Sequence, residues 1–207
     1  MKKIMFNDRY GLTKAVLNGR KTMTRRIIPI DLYNQTDWKA FEEGDYEVVV
    51  DGDGYYHDIR QCGMYQIGEK VAVAQRYGDI SEHLGPMARC MINPFGSPKD
   101  NPGWRNKMFV KADLMPHRIR ISDIKVERLQ DISDEDCLRE GVLQSCDGLD
   151  SYTFDGWFKR HKGGILPVHV YAKNPREAFA ALIDRISGKG TWERNPWVFA
   201  YEFELIM

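Results

Sequence analysis

The stretch Gly19-Arg20-Lys21-Thr22-Met23-Thr24-Arg25-Arg26 combines one primary amine, two hydroxyls and three guanidinium groups without a carboxylate. Fixed cations make a neighbouring ammonium harder to keep protonated, so we expect a lowered pKa for Lys21 and an amine available as a base. Thr24 adds a hydroxyl that can attack a carbonyl or bind a substrate. The alternative is a solvated basic turn after a helix, and spacing alone favours it because short Lys/Thr/Arg runs are common.

Lys21 and Thr24 cannot act together if residues 20–26 form one regular strand. Successive side chains of a strand point to opposite faces, so positions three apart face away from each other. Joint chemistry therefore requires a turn or bulge at Thr22-Met23, and we predict one there.

Gly19, Lys21, Thr24 and Arg26 reproduce the G-x-K-x-x-T-x-R motif of ASCH-domain proteins, which are relatives of the RNA-binding PUA domains. Residues 126–133 and Glu140-Gly141-Val142 resemble the second conserved block of that family, and Asn195-Pro196-Trp197-Val198 resembles the start of its closing strand. The chain is most similar to the larger ASCH proteins that bacteriophages and prophages carry. The resemblance covers residues 1–30, 65–77, 118–142 and 176–207.

The resemblance implies an α+β fold, a PUA-like (ASCH) β-barrel with flanking helices, in a single domain over residues 1–207. Two long insertions, near 78–117 and 143–175, fall outside it, and we expect them to lie at one rim of the barrel and shape the pocket mouth. Capping residues and apolar spacing predict helices near 8–18, 133–140 and 176–187. Alternating apolar residues predict strands over 119–126, 197–205 and a hairpin within 46–60.

A small bacterial ASCH enzyme hydrolyses N4-acetylcytidine with a Lys, a Thr and a Glu, and the resemblance places these roles on Lys21, Thr24 and Glu140. Lys21 would act as the base, and Thr24 as the nucleophile or as the group that positions a water. Glu140 would orient Lys21 and relay a proton to the leaving amine. The function so implied is an amidohydrolase acting on an acylated nucleoside or base.

Four further residues, Arg25, Arg26, Gln75 and Tyr77, are expected to bind the substrate. Gln75 departs from the family, because many phage-type relatives carry Arg-Glu where this chain has Ala74-Gln75 before Arg76-Tyr77. The alternatives to an amidohydrolase are a non-catalytic module that binds RNA or a nucleotide, and a ribonuclease. The partner in each case is a nucleoside, a nucleotide or RNA.

The formal net charge is zero, with 30 basic and 30 acidic residues, so nucleic-acid binding would need a local basic patch, for which residues 9–26 are the candidate. In 143–175, aromatic residues among cations could stack bases, but a small satellite core is the favoured interpretation. Four scattered cysteines and five dispersed histidines show no metal-ligand spacing, which predicts reduced thiols, no metal and no cofactor. With no signal peptide or membrane-spanning stretch, we expect a cytoplasmic protein.

Overall fold

The computed structural model describes residues 1–145, 151–155, 158–161, 164–167 and 172–206, the segments 158–161 and 164–167 by their backbone alone. The strands are β1 Lys3–Ile4, β2 Met23–Ile27, β3 Glu47–Val50, β4 Tyr56–Asp58, β5 Lys70–Val73, β6 Arg118–Arg128, β7 Leu143–Gln144, β8 Tyr152–Thr153, β9 Phe158–His161, β10 Gly164–Pro167 and β11 Trp197–Ile206. The α-helices are α1 Leu12–Leu17, α2 Ile30–Asn34, α3 Trp38–Glu42, α4 Pro86–Ile92, α5 Asp134–Arg139, α6 Pro175–Ser187 and α7 Thr191–Arg194.

A five-stranded sheet in the order β1-β5-β6-β11-β2 is the centre of the fold. The long strands β6 and β11 pair antiparallel, β2 and β5 add antiparallel on either side, and β1 joins β5 in parallel. The predicted alternating strands are confirmed in β6 and β11, and the predicted hairpin in β3 and β4. The architecture is mixed α+β, with β1 and β2 as the two edges of the sheet.

The helix predicted over residues 8–18 is two elements, a 3₁₀ turn at Asp8–Tyr10 and the helix α1. Gly11 separates them with φ of +64°, and the side chain of Asp155 fills the space that a Cβ at this position would need. A continuous helix was therefore wrong, because Gly11 takes a left-handed backbone conformation that a right-handed helix does not contain. The other two helices begin where predicted, with Ser133 capping α5 and Asn174 capping α6.

Both faces of the sheet are covered by apolar clusters. The larger cluster contains Phe199, Tyr201 and Phe203 of β11 together with Leu182 of α6. A second cluster packs α5 and α6 against Val198 on the opposite side of the same strand. Helix α6 thus contacts both clusters and is held beside β11, where it forms one wall of the cavity described below.

The insertion 78–117 is a compact unit of α4 and short 3₁₀ turns built on its own apolar cluster, which includes Ile80, Leu84 and Val110. In the insertion 143–175, Phe154 is buried and packs edge-on against Tyr10 with ring centroids 5.7 Å apart, and both rings belong to the larger cluster on the sheet. This ring therefore joins the main core, whereas a separate satellite core was expected. Trp157 and Tyr171 lie outside the described residues.

Candidate active site

A cavity of about 480 Å³ lies between the two edges of the sheet and helix α6. Its lining comes from residues at and after β1, Leu12 of α1, residues 21–29, residues 62–65, Glu140 after α5, the inner face of α6 and two side chains of β11. The lining residues are Lys3, Met5, Phe6, Asn7, Leu12, Lys21, Thr24, Arg25, Arg26, Ile27, Pro29, Cys62, Met64, Tyr65, Glu140, Phe179, Leu182, Ile183, Ile186, Ser187, Phe199 and Tyr201. This volume lies within the range of small-molecule sites.

The register of β2 and β11 builds the floor of the cavity. Thr24 pairs with Tyr201, and Arg26 pairs with Phe199. Because paired residues and residues two apart share a face of the sheet, these four side chains stand side by side. The Thr24 hydroxyl is therefore placed on the same face as an Arg side chain and two aromatic rings.

Lys21 lies before the strand begins, in a tight turn that follows α1. The backbone N–H groups of Arg20 and Lys21 both donate to the carbonyl of Ala15, at 2.9 and 3.0 Å, and Gly19 adopts φ of +72°. Since β2 starts only at Met23, strand alternation does not force Lys21 and Thr24 apart, and both line the cavity. The break that joint chemistry requires is the turn that begins at Asn18-Gly19. The predicted turn or bulge at Thr22-Met23 was wrong, because Met23 already belongs to β2 and the Thr22 carbonyl accepts from the Phe203 N–H at 2.9 Å.

Lys21 and Glu140 form a buried ion pair although 119 positions separate them in the sequence. The Lys21 amine donates to the Glu140 Oε2 atom at 2.5 Å and to the Glu140 backbone carbonyl at 2.8 Å. Lys21 is 2% exposed and Glu140 5%. Two bonds between Thr22 and Arg139 hold the end of α5 here: Thr22 N–H donates to the Arg139 carbonyl at 3.0 Å, and Arg139 Nε donates to the Thr22 hydroxyl at 3.1 Å.

Burial lowers the pKa of Lys21, because a charged ammonium loses its hydration inside the protein. The Glu140 carboxylate opposes this change in pKa, and the positive charges of Arg26 and Arg25 add to it. The amine is therefore easier to deprotonate than an ordinary lysine, as the cationic stretch predicted, although burial is a larger cause than the neighbouring guanidinium groups.

Arg25 is held in a network of three carboxylates. Its guanidinium contacts Glu127 at 2.6 Å, Asp136 at 3.0 Å and Glu140 at 3.3 Å. A guanidinium so occupied has few N–H groups left for a ligand. Arg25 contributes to the cavity lining, but its guanidinium is bound to carboxylates, and its contact with Glu140 helps to orient that side chain.

Arg26 is half-buried, and its guanidinium donates at 2.8 Å to the backbone carbonyl of Met5. Among the described residues it forms no ion pair with a carboxylate. It therefore differs from Arg25, since its charge is available to a ligand in the cavity.

Gln75 and Tyr77 lie away from this cavity. The Gln75 Oε1 atom is 2.8 Å from His117 Nδ1, and the Tyr77 hydroxyl accepts a 2.7 Å bond from the Lys111 backbone N–H. Both are buried at the base of the insertion 78–117. The structure thus does not bring these two residues to Lys21, because the chain after β5 turns into the insertion.

None of the described residues of 78–117 or 143–175 lines the cavity, which corrects the expectation that the insertions shape its mouth. The walls are formed instead by Phe6, Tyr65 and the inner face of α6. Strand alternation could have identified Tyr201, which is two residues from Phe199, whereas no local pattern marks Tyr65 as a lining residue.

In the described part of the chain, no three His, Cys, Asp or Glu side chains cluster as a metal site would require. Cys62, Cys90 and Cys137 are free thiols, and Cys146 lies outside the described residues. Over the same ranges, no helix combines the length and the apolar character needed to cross a membrane.

No protein-family model, no characterised protein and no solved structure gave a significant match to this chain.

Proposed function

We propose that this chain is an amidohydrolase of the ASCH type that acts on an acylated nucleoside or base such as N4-acetylcytidine. One observation carries the proposal: Lys21, Thr24 and Glu140 line the same cavity, and the Lys21 amine is hydrogen-bonded to Glu140. The motif residues and a glutamate from a distant helix are brought together at a site large enough for a nucleoside.

The buried ion pair supplies the base. Burial lowers the pKa of Lys21, so the ammonium loses its proton more easily than an ordinary lysine does, and the neutral amine that forms is held in place by Glu140. The neutral amine then removes the proton of the Thr24 hydroxyl as the oxygen attacks the acyl carbon, or the proton of a water that Thr24 positions.

The amide C–N bond breaks when the tetrahedral intermediate collapses. The leaving exocyclic amine takes a proton from the Lys21 ammonium, directly or relayed through Glu140, which returns Lys21 to the neutral amine. If Thr24 is the nucleophile, a water then attacks the acyl-threonine ester, Lys21 takes the proton of that water, and the Thr24 oxygen leaves with a proton. The products are cytidine and acetate.

Aromatic side chains make the cavity suitable for a planar base. Phe6, Tyr65, Phe199 and Tyr201 all contribute to the lining, and aromatic rings stack on nucleobases. Such walls also exclude water from the acyl group, which strengthens the polar interactions of the reacting atoms.

The PUA-like barrel belongs to the same proposal. The sheet is open between β1 and β2, and the hydrogen bond from Arg26 to Met5 joins the residues that follow β1 to strand β2. We propose that this junction is where the ASCH barrel closes and that the cavity occupies the seam.

A module that binds a nucleotide or RNA without hydrolysing it is the second candidate, favoured by the unpaired charge of Arg26. The substitution Lys21→Arg separates the two functions, because a guanidinium keeps the charge but does not act as a base. For an amidohydrolase we expect kcat on N4-acetylcytidine to fall by about 10³-fold, with binding of cytidine retained.

Product formation would be followed by chromatography, and Lys14→Arg is the matched control, since Lys14 is exposed on α1. Thermal unfolding of both variants checks that the buried substitution leaves the fold intact. Turnover by Lys21→Arg at the parent rate would contradict the catalytic role of the amine.

A further inference from the structure

The cavity lining is unbalanced in charge. Among its described residues it contains four cationic side chains, Lys3, Lys21, Arg25 and Arg26, and one carboxylate, Glu140. Two of the cations are neutralised by carboxylates, since Lys21 pairs with Glu140 and Arg25 with Glu127 and Asp136. The remaining positive charge belongs to Arg26 and Lys3.

Arg26 and Lys3 are hydrogen-bonded only to backbone carbonyls in the described part of the chain. Arg26 donates to Met5 at 2.8 Å, and Lys3 donates to Met108 at 2.6 Å and Val110 at 3.0 Å. A carbonyl satisfies an N–H group but does not cancel the charge, so a positive potential remains in a partly buried site.

Other cations close to this region are paired. Lys2 contacts Glu69 at 3.1 Å, Lys107 contacts Asp8 at 2.7 Å, and Arg20 contacts Asp155 at 3.1 Å. Arg26, which lines the cavity, lacks such a carboxylate, whereas the Lys3 ammonium is bound by two carbonyls of the insertion 78–117 that lie outside the lining. That contrast is what a site for an anionic ligand requires, because a resident carboxylate would compete with the ligand.

We propose that the substrate carries a phosphate monoester, so that the cavity takes a 5′-nucleotide rather than a free nucleoside, with the phosphate on Arg26. This inference rests on the proposed function for the acylated base but concerns a different part of the ligand. Arg26 suits a phosphate because its planar N–H groups match phosphate oxygens. One of its nitrogen atoms donates to the Met5 carbonyl, and the other N–H groups can donate to a ligand.

The test compares matched ligands that differ only in the phosphate. Binding of cytidine and cytidine 5′-monophosphate would be measured by calorimetry, and turnover would be measured with N4-acetylcytidine and its 5′-monophosphate. We expect the wild type to prefer the phosphorylated ligand by about 10- to 100-fold, as for hydrogen bonds between charged groups. Arg26→Gln should bring this ratio close to one, and Arg26→Lys should retain part of it.

Arg20→Gln is the control, because it removes a neighbouring guanidinium that does not line the cavity, and it should leave the ratio unchanged. Equal affinity of the wild type for cytidine and its monophosphate would overturn the phosphate site even if N4-acetylcytidine is hydrolysed. A preference that survives in Arg26→Gln would overturn it as well.

The amidohydrolase proposal and the phosphate-site proposal can be contradicted independently of each other. A wild type that prefers the nucleotide in binding but hydrolyses neither acylated ligand would contradict the amidohydrolase and support the phosphate site. Tighter binding of a short oligoribonucleotide than of the monophosphate would assign Arg26 to RNA and overturn the mononucleotide.

Discussion

The guanidinium of Arg26 donates a 2.8 Å hydrogen bond to the backbone carbonyl of Met5 and so joins the two edges of the sheet. Met5 directly follows β1, and Arg26 lies in β2. One side chain therefore both links the edges and faces the cavity, so its role in stability must be measured separately from its role in binding.

Arg26→Met should lower the free energy of unfolding by about 1 kcal/mol, since it removes one charge-assisted hydrogen bond at a partly exposed position. Urea titration of the protein without ligand measures this change. Arg20→Met is the control and should cost less, because its ion pair with Asp155 is exposed. A loss as small as that of the control would show that the link between the edges contributes little.

The buried pair predicts non-additive effects. Lys21→Met leaves the Glu140 carboxylate without its main partner in an apolar site and should cost about 3–5 kcal/mol of unfolding free energy. The double variant Lys21→Met/Glu140→Gln removes both charges and should be less destabilised than the single variant. Urea titration of Lys21→Met, Glu140→Gln and the double variant measures the three costs. A cost of the double variant equal to the sum of the two single costs would contradict the buried pair.

The lowered pKa of Lys21 predicts how stability depends on pH. Between the folded pKa and the ordinary value of 10.5 the unfolded chain binds the additional proton, so the free energy of unfolding rises with pH there. The charged groups around the amine are Glu140, Arg25 and Arg26. The stability of the wild type relative to Lys21→Met/Glu140→Gln should therefore increase from neutral pH towards 10.5.

That difference would be measured by urea titration at a series of pH values, where the other titrating groups cancel between the two proteins. A difference that stays constant, or that falls as pH rises, would show that Lys21 is not easier to deprotonate in the folded state.

If the Thr24 hydroxyl takes part in the reaction, two small substitutions at this position should have different effects on turnover. Thr24→Val removes the hydroxyl with little change in shape and should lower kcat on N4-acetylcytidine by about 10³-fold. Thr24→Ser retains an oxygen that can act as a nucleophile and should keep measurable turnover. Equal rates for the two variants would exclude the hydroxyl from the reaction, and steady-state kinetics with product identification decides.

The parts of the fold that followed from local pattern are those in which neighbours along the chain determine the structure. The alternation in β6 and β11 and the caps at Ser133 and Asn174 are local, and they were predicted. The division of the first helix at Gly11 was not predicted, although glycine tolerates the left-handed conformation found there; the side chain of Asp155, a residue far along the chain, packs against this position.

The candidate site likewise has features that the sequence predicted and features that it did not. Strand geometry indicated that the chain must turn for Lys21 and Thr24 to act together, but it placed the turn at Thr22-Met23 rather than before Lys21. The placement of Glu140 beside Lys21 came from a family motif, since no periodicity connects residues so far apart. Gln75 and Tyr77 were expected at the cavity because of the resemblance to phage-type relatives at residues 74–77. The direction taken by the chain after β5 depends on how 78–117 packs, which local sequence does not determine.

The order of strands has a consequence for synthesis of the protein. β11, residues 197–206, lies between β2 and β6, so the strand that carries Thr24 has no hydrogen-bonded neighbour in the sheet until residues 197–206 are available. A ribosome that has made the first 190 residues has produced Lys21, Thr24 and Glu140 but not the floor that Phe199 and Tyr201 complete. Because domains fold as units, the edges of β2 and β6 stay unpaired and open to chaperones until β11 forms, and a chain that ends before β11 has the site residues without the completed site.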